Sequence, residues 1–219
     1  MCGRFGFTLP SKQAMHRFGL DESVDYETRK NIAPTTFCFV VLARAIEGGD
    51  GFQRVGRLLK WGLVPSWSKD PTIGNRLINA RSETAAEKPS FRAAFKRRRC
   101  LVPATAFYEW QKNPDGKQPF AINLTDQEAF AMAGLWEHWS APDGSDLFTF
   151  TILTTEPNEL LAPIHNRMPV ILPEESWAPW LDPATDPKEL PPLLASFPSK
   201  AMQAQPVSKA VNNPANQDF

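Results

Sequence analysis

Cysteine stands at the second position of the chain, in "MCGRF", where removal of Met1 would leave a thiol and a free α-amine on adjacent carbon atoms. The two groups have reference pKa values of about 8.5 and about 7.7–8.0, so a useful fraction of each is nucleophilic near neutral pH. A 1,2-aminothiol of this kind traps aldehydes. Cysteine is also among the residue types most often buried, and with Phe5 and Phe7 nearby, Cys2 equally suits an ordinary core.

Other polar residues interrupt apolar runs. In "CLVPATAFYEWQ", Glu109 lies between Tyr108 and Trp110. Desolvation by such neighbours would raise its pKa toward that of a general acid at neutral pH, whereas strand alternation would turn it to solvent. In "LAPIHNRMPVIL", His165 and Arg167 form a short polar break. It reads either as an anchored loop carrying a proton shuttle or as a helix C-terminus whose His caps carbonyls. Asn79 and Arg81 of "INARSE" suit a ligand or a helix start with Ser82 as N-cap. "FRAAFKRRRC" places Arg92, Lys96 and Arg99 around Arg97 and Arg98. A run like this is usually a solvated face, but with Trp67 of "WGLVPSWSK" it matches the cations and stacking platform of single-strand nucleic-acid binding. Arg4, close to Cys2, suits a phosphate.

The elements that must position these residues are mostly strands. Apolar and β-branched runs bounded by turn residues predict strands over 36–43, 57–63, 100–111, 119–124, 130–137, 147–154 and 168–172. "NPDGK" and "APDGS" carry tight-turn chemistry, which predicts an antiparallel meander from Cys100 to Thr154. Helices are expected over 13–18, over 82–96 with Pro89 interrupting, over 158–164 and over 174–181. The fold class is therefore α+β, rich in strands.

At 219 residues the chain can bury a large core, and the absence of a Gly/Ser-rich or charged linker argues for one domain. Lysines plus arginines equal aspartates plus glutamates at 24 each, so bulk charge selects no polyanion, although a local patch can. Neither a signal segment nor a run of roughly 20 apolar residues is present, so a cytoplasmic protein is expected, or a nuclear one in a eukaryote. Three scattered cysteines argue against a disulfide framework, and without CxxC or HExxH spacing no metal is expected. No phosphate-cradling glycine loop precedes a helix, so no nucleotide cofactor is expected either.

Eight blocks in order, "MCGRF", "NIAPTT", "KWGLVPSW", "INARSET", "CLVPATAFYEW", "FAMAGLWE", "TILTTEPNELLAPIHNRMPVIL" and "VSKAVNNP", resemble the signature segments of the SOS response-associated peptidase (SRAP) family of abasic-site processing proteins. The resemblance implies a single SRAP domain over residues 1–213 with a tail at 214–219. Its expected architecture is curved antiparallel sheets around a barrel-like core, with short flanking helices. It implies a monomer without cofactor that binds single-stranded DNA and forms a covalent link to an abasic site through Cys2. The family's catalytic roles fall on Cys2, Asn79, Glu109 and His165, and its DNA contacts on Arg4, Trp67, Arg81 and Arg167. Two positions depart from the family pattern: "ATA" precedes "FYEW" where Ala-Asp-Gly is commoner, and Asn166 stands where many relatives have Asp. Neither is an expected proton carrier. Two other readings remain at this point: a cysteine hydrolase pairing Cys2 with His165, which releases Met1 or cleaves a peptide, and a non-catalytic reader of single-stranded or modified DNA.

Overall fold

Short apolar strands closed by Pro, Asp and Gly turns account for most of the secondary structure in the computed structural model, which describes residues 2–219. The strands are β1 (Phe5–Phe7), β2 (Arg29–Ile32), β3 (Phe37–Ala45), β4 (Phe52–Trp61), β5 (Asn79–Arg81), β6 (Arg99–Ala104), β7 (Ala106–Asn113), β8 (Gly116–Leu124), β9 (Phe130–Ser140), β10 (Asp146–Thr155), β11 (Met168–Pro169), β12 (Ile171–Leu172) and β13 (Met202–Pro206). The α-helices are short: α1 (Ser11–Phe18), α2 (Ser82–Ala85), α3 (Arg92–Arg97) and α4 (Trp177–Leu181). Among the described residues no helix is long and apolar enough to cross a membrane.

Two sheets share one apolar core. The smaller has the order β13-β8-β7-β1-β2. In the larger, β10, β4, β3, β6 and β9 follow one another and β9 pairs back onto β10, which closes a five-stranded barrel. This bears out the α+β, barrel-like expectation, with one addition: β10 runs parallel to β4 and to β5, while the other ladders are antiparallel. Phe5 from the smaller sheet meets Trp61 of the barrel edge-on at 5.2 Å, and Trp61 stacks on Phe150 at 6.3 Å, so aromatic packing joins the two sheets.

Several elements differ from the sequence-based expectation. The single strand over 100–111 is two strands in different sheets: β6 belongs to the barrel and β7 to the smaller sheet, and the chain changes sheet at Thr105, whose N–H donates to Gly6 O at 2.8 Å. The meander is accordingly two separate hairpins, β7–β8 and β9–β10, one in each sheet. Both expected turns do lie between their strands. The helix expected over 158–164 is a series of turns: Asn158 Oδ1 accepts from Leu161 N–H at 3.0 Å as an N-cap would, but Pro163 removes a helical donor one turn in. The helix expected over 82–96 is broken into α2 and α3.

The first strand is held between two neighbours. β1 lies between β2 and β7, with Phe5 opposite Ile32 on one side and Phe107 on the other. The approach is close enough that a Cβ on Gly6 would sit 2.5 Å from Lys30 O. Tyr108 N–H donates to Arg4 O at 2.9 Å, so the antiparallel register continues past β1 and carries the chain start alongside Glu109 and Trp110.

Candidate active site

Cys2 is fully buried, and its thiol points at Arg4 O, 4.0 Å away. Asn79 reaches it from the barrel. The short β5 runs parallel to β10 with Asn79 opposite Ile152, and from there Asn79 Nδ2 donates to Cys2 O at 2.7 Å. Both Asn79 and Arg81 are strand residues, and the N-cap position of α2 is Arg81, with no side-chain cap bond. The cluster thus does lie at a helix start, with Arg81 rather than Ser82 at the N-cap position, and Asn79 in addition makes its contact on Cys2. Asn79 Oδ1 is buried and makes no hydrogen bond among the described residues.

Glu109 on β7 is 3% exposed, which excludes the solvent-facing alternative. Burial pushes its carboxyl up from 4.5 to about 7. The same burial, with the negative charge of Glu109 in addition, drives the Cys2 thiol far above its usual range. The expectation of a ready fraction of thiolate thus fails in the folded chain: the thiol must give up its proton as it reacts.

His165 completes the group. Its backbone N–H donates to Leu161 O at 2.8 Å at the end of the turn series, and Gln111 Nε2 on β7 ties that series to Glu109's strand by donating to Pro163 O at 3.1 Å. His165 Nε2 lies 3.9 Å from Glu109 Oε2, too long for a direct hydrogen bond. Its Nδ1 lies 3.1 Å from Arg167 N and 3.2 Å from Arg167 O. The amide can only donate, so the neutral ring accepts there and carries its proton on Nε2. Burial lowers the His165 pKa, which favours this neutral form. Cys2, Asn79, Glu109 and His165 are therefore brought together from four separate parts of the sequence.

The basic and aromatic candidates are placed differently. Arg4 donates through Nη1 to Asn31 Oδ1 at 2.8 Å and to Val211 O at 2.7 Å, and its guanidinium lies 5.8 Å from the Trp110 ring centroid. Arg167 makes a bidentate pair with Glu83 at 2.7 and 2.8 Å and donates to Thr154 O at 2.6 Å. Exposed Arg81 is in register with the same Thr154, so the two arginines adjoin. Trp67 is 60% exposed in a separate loop and contacts Pro89 O at 3.5 Å. The basic run over 92–99 is divided: Arg99 is buried and caps the carbonyls of Phe95, Lys96, Trp180 and Asp182, Arg98 pairs with Glu137 at 2.8 Å, and Arg92, Lys96 and Arg97 remain exposed. Among the described residues no cluster of His, Cys, Asp or Glu fits a metal ion.

Two residues of the site are not singled out by the sequence, although both lie in its signature blocks, Asn31 in "NIAPTT" and Glu83 in "INARSET". Glu83 pairs with a residue 84 positions away, and Asn31 sits at 2% exposure on β2, where its partners come from the other end of the chain.

Comparison with known proteins places the whole chain in one family. The family described as SOS response associated peptidase (SRAP) matches residues 1–214. The chain is 43% identical over 222 residues to the abasic site processing protein YoqW of Bacillus subtilis (strain 168), covering 99% of this chain and 96% of that one. It is 33% identical over 220 residues to the abasic site processing protein HMCES of Xenopus tropicalis, covering 89% of this chain and 65% of that protein. A crystal structure of a protein from Bacteroides thetaiotaomicron superposes with a TM-score of 0.88 at 27% identity, covering 98% and 97% of the two chains.

Proposed function

Because the chain belongs to the SOS response associated peptidase family, we propose that it processes abasic sites in single-stranded DNA by linking Cys2 covalently to the lesion. The observation that carries the reading is the buried Glu109 carboxyl, titrating at about 7 in the same enclosure as the Cys2 thiol and the His165 ring.

The reaction starts with hydrolysis of the Met1–Cys2 peptide bond, water supplying the hydroxyl of the leaving methionine and a hydrogen of the new amine. Met1 itself lies outside the described residues. The Cys2 amine then attacks C1′ of the open-chain deoxyribose, and His165 relays a proton from the attacking nitrogen to the former carbonyl oxygen. Glu109 protonates that hydroxyl, water leaves and a protonated imine remains, its charge balanced by the Glu109 carboxylate. An imine at this carbon invites β-elimination and strand cleavage. Addition of the thiol to the same carbon closes a five-membered thiazolidine, and the thiol proton returns to Glu109. The net change is aldehyde plus aminothiol giving thiazolidine plus water. Holding both nucleophiles on one residue supplies the effective molarity that a free thiol lacks. Asn79 orients Cys2 through its carbonyl, and the buried Oδ1 is suited to accept from the new amine or a sugar hydroxyl. Arg4, Arg81 and Arg167 line the proposed path of the phosphates, and Trp67 offers a stacking face. Trp67→Ala should weaken single-strand binding by about 1–3 kcal/mol, measured by fluorescence anisotropy.

The test is to incubate the protein with an oligonucleotide holding one abasic site and run a denaturing gel. A heat-stable shifted band is expected, with intact mass equal to the chain lacking Met1 plus the oligonucleotide less one water. A hydrolase would give no covalent band, and a reader would give a shift under native conditions alone. Either result, or Met1 still present on an active protein, overturns the proposal.

A further inference from the structure

The end of the chain returns to its beginning. Asn31 Nδ2 lies within hydrogen-bond distance of three carbonyls of the C-terminal segment, Val211 O at 3.1 Å, Asn213 O at 3.0 Å and Asn216 O at 2.9 Å, while its Oδ1 accepts from Arg4. Gln217 acts as a strand partner made from a side chain: its Oε1 accepts from Asn31 N–H at 3.1 Å and its Nε2 donates to Asn31 O at 3.3 Å. The outer edge of β2 is thereby covered at this point. On the opposite flank Trp110 Nε1 donates to Asn212 Oδ1 at 2.7 Å, and Phe219 meets the Tyr108 ring edge-on at 5.6 Å. Residues 211–219 thus touch both strands that flank the chain start, β2 at Asn31 and β7 at Trp110, the neighbour of Glu109, and they touch the chain start itself at Arg4, two residues from Cys2.

β1 has only three residues and pairs with each neighbour at two registered positions, too little ladder to hold a reacting group to within a fraction of an ångström. We propose that Asn31 is a positioning residue for the reaction and that residues 208–217 form the strap through which it acts, fixing the strand that presents Cys2 against the strand that presents Glu109. This inference rests on the crosslinking chemistry proposed above. The alternative is an asparagine that satisfies buried carbonyls and does nothing more. A positioning role lowers the rate of the bound complex and leaves DNA affinity in place, whereas a satisfying role moves neither.

The test uses the full chain with Asn31→Asp and Gln217→Ala. The aspartate still accepts from Arg4 but offers the three carbonyls a negative charge in place of a donor, so it separates holding Arg4 from holding the strap. Gln217→Ala removes the edge contact near the terminus, together with the Gln217 Nε2 bond to Pro214 O within the same segment, and leaves the core intact. Three quantities are measured: the maximal crosslinking rate at saturating abasic oligonucleotide, the affinity for the same strand carrying an unreactive tetrahydrofuran site, and hydrogen exchange by mass spectrometry. Asn31→Asp should lower the rate tenfold or more and Gln217→Ala about threefold, with tetrahydrofuran affinity within threefold of the original. In both variants residues 2–7 and 208–217 should exchange faster together. Rates within twofold of the original in both variants, or faster exchange confined to the C-terminal segment, overturn the strap. Failure of the unsubstituted chain to crosslink would sink the chemistry, and the exchange comparison would still decide whether the two chain ends are coupled.

Discussion

Glu109 and Cys2 impose opposite demands on pH. In the proposed reaction, crosslinking needs the Cys2 amine neutral, with a reference pKa of about 7.7–8.0, and needs the Glu109 carboxyl protonated, with a pKa of about 7. Since the acid titrates below the base, the rate should peak near pH 7.5 by roughly averaging the two values and fall on both sides. Glu109→Gln keeps the shape and cannot deliver a proton; it should slow crosslinking by about 10²–10⁴-fold and abolish the falling alkaline limb. A rate and profile unchanged from the original would assign Glu109 to packing alone. Cys2→Ser retains the amine and loses the ring-closing thiol. Its imine should be trapped by borohydride, the stable band should disappear, and strand nicking should rise on a sequencing gel. Glu109 was legible in the sequence because a carboxylate amid aromatics is conspicuous. Glu83 and Asn31 were not, because their meaning lies in partners 84 and about 180 positions away.

At the scale of elements, legibility followed local chemistry. The β7–β8 and β9–β10 hairpins were readable because Pro-Asp-Gly turns join long alternating strands. β1, β2, β5 and β13 have three to five residues each, too short for alternation to rise above chance. The sheet change at Thr105 follows Pro103, a residue that marks strand edges and breaks, but with "ATA" where a turn sequence would stand the run reads as one strand. The site depends on these short strands, since β1 carries Cys2 toward Glu109 and β5 carries Asn79. The contact of β1 with β2 gives a direct check. In Gly6→Ala the new Cβ would meet Lys30 O at 2.5 Å, a backbone atom with no rotamer to yield. The substitution should cost about 1–3 kcal/mol. For a domain of this size, each kcal/mol lowers the melting temperature by about 2–4 °C in calorimetry. Crosslinking should slow as well, because the strand that moves is the one that presents the nucleophile.

For the whole molecule, the buried carboxyl sets a pH dependence of stability. Folding raises the Glu109 pKa from 4.5 to about 7, so between those values the folded chain holds more protons than the unfolded chain. The contribution is fully present below pH 4.5 and is lost as pH rises through 7, a span equivalent to about 3 kcal/mol. Carboxylates such as Glu22 and Glu83, whose pKa values are lowered by hydrogen bonds from arginines, act with the opposite sign and below that window. His165, whose pKa burial lowers from 6.5, opposes this trend inside the window, so the quantity to measure is the difference between chains: the urea midpoint of the original chain relative to that of Glu109→Gln should fall from pH 4.5 to 7. The joined chain ends bear on synthesis. Arg4 and Val211 are 207 residues apart, so on the ribosome the first of them emerges long before the second exists. The segment that carries Cys2 is therefore made without this contact and gains it only after Val211 has been synthesised.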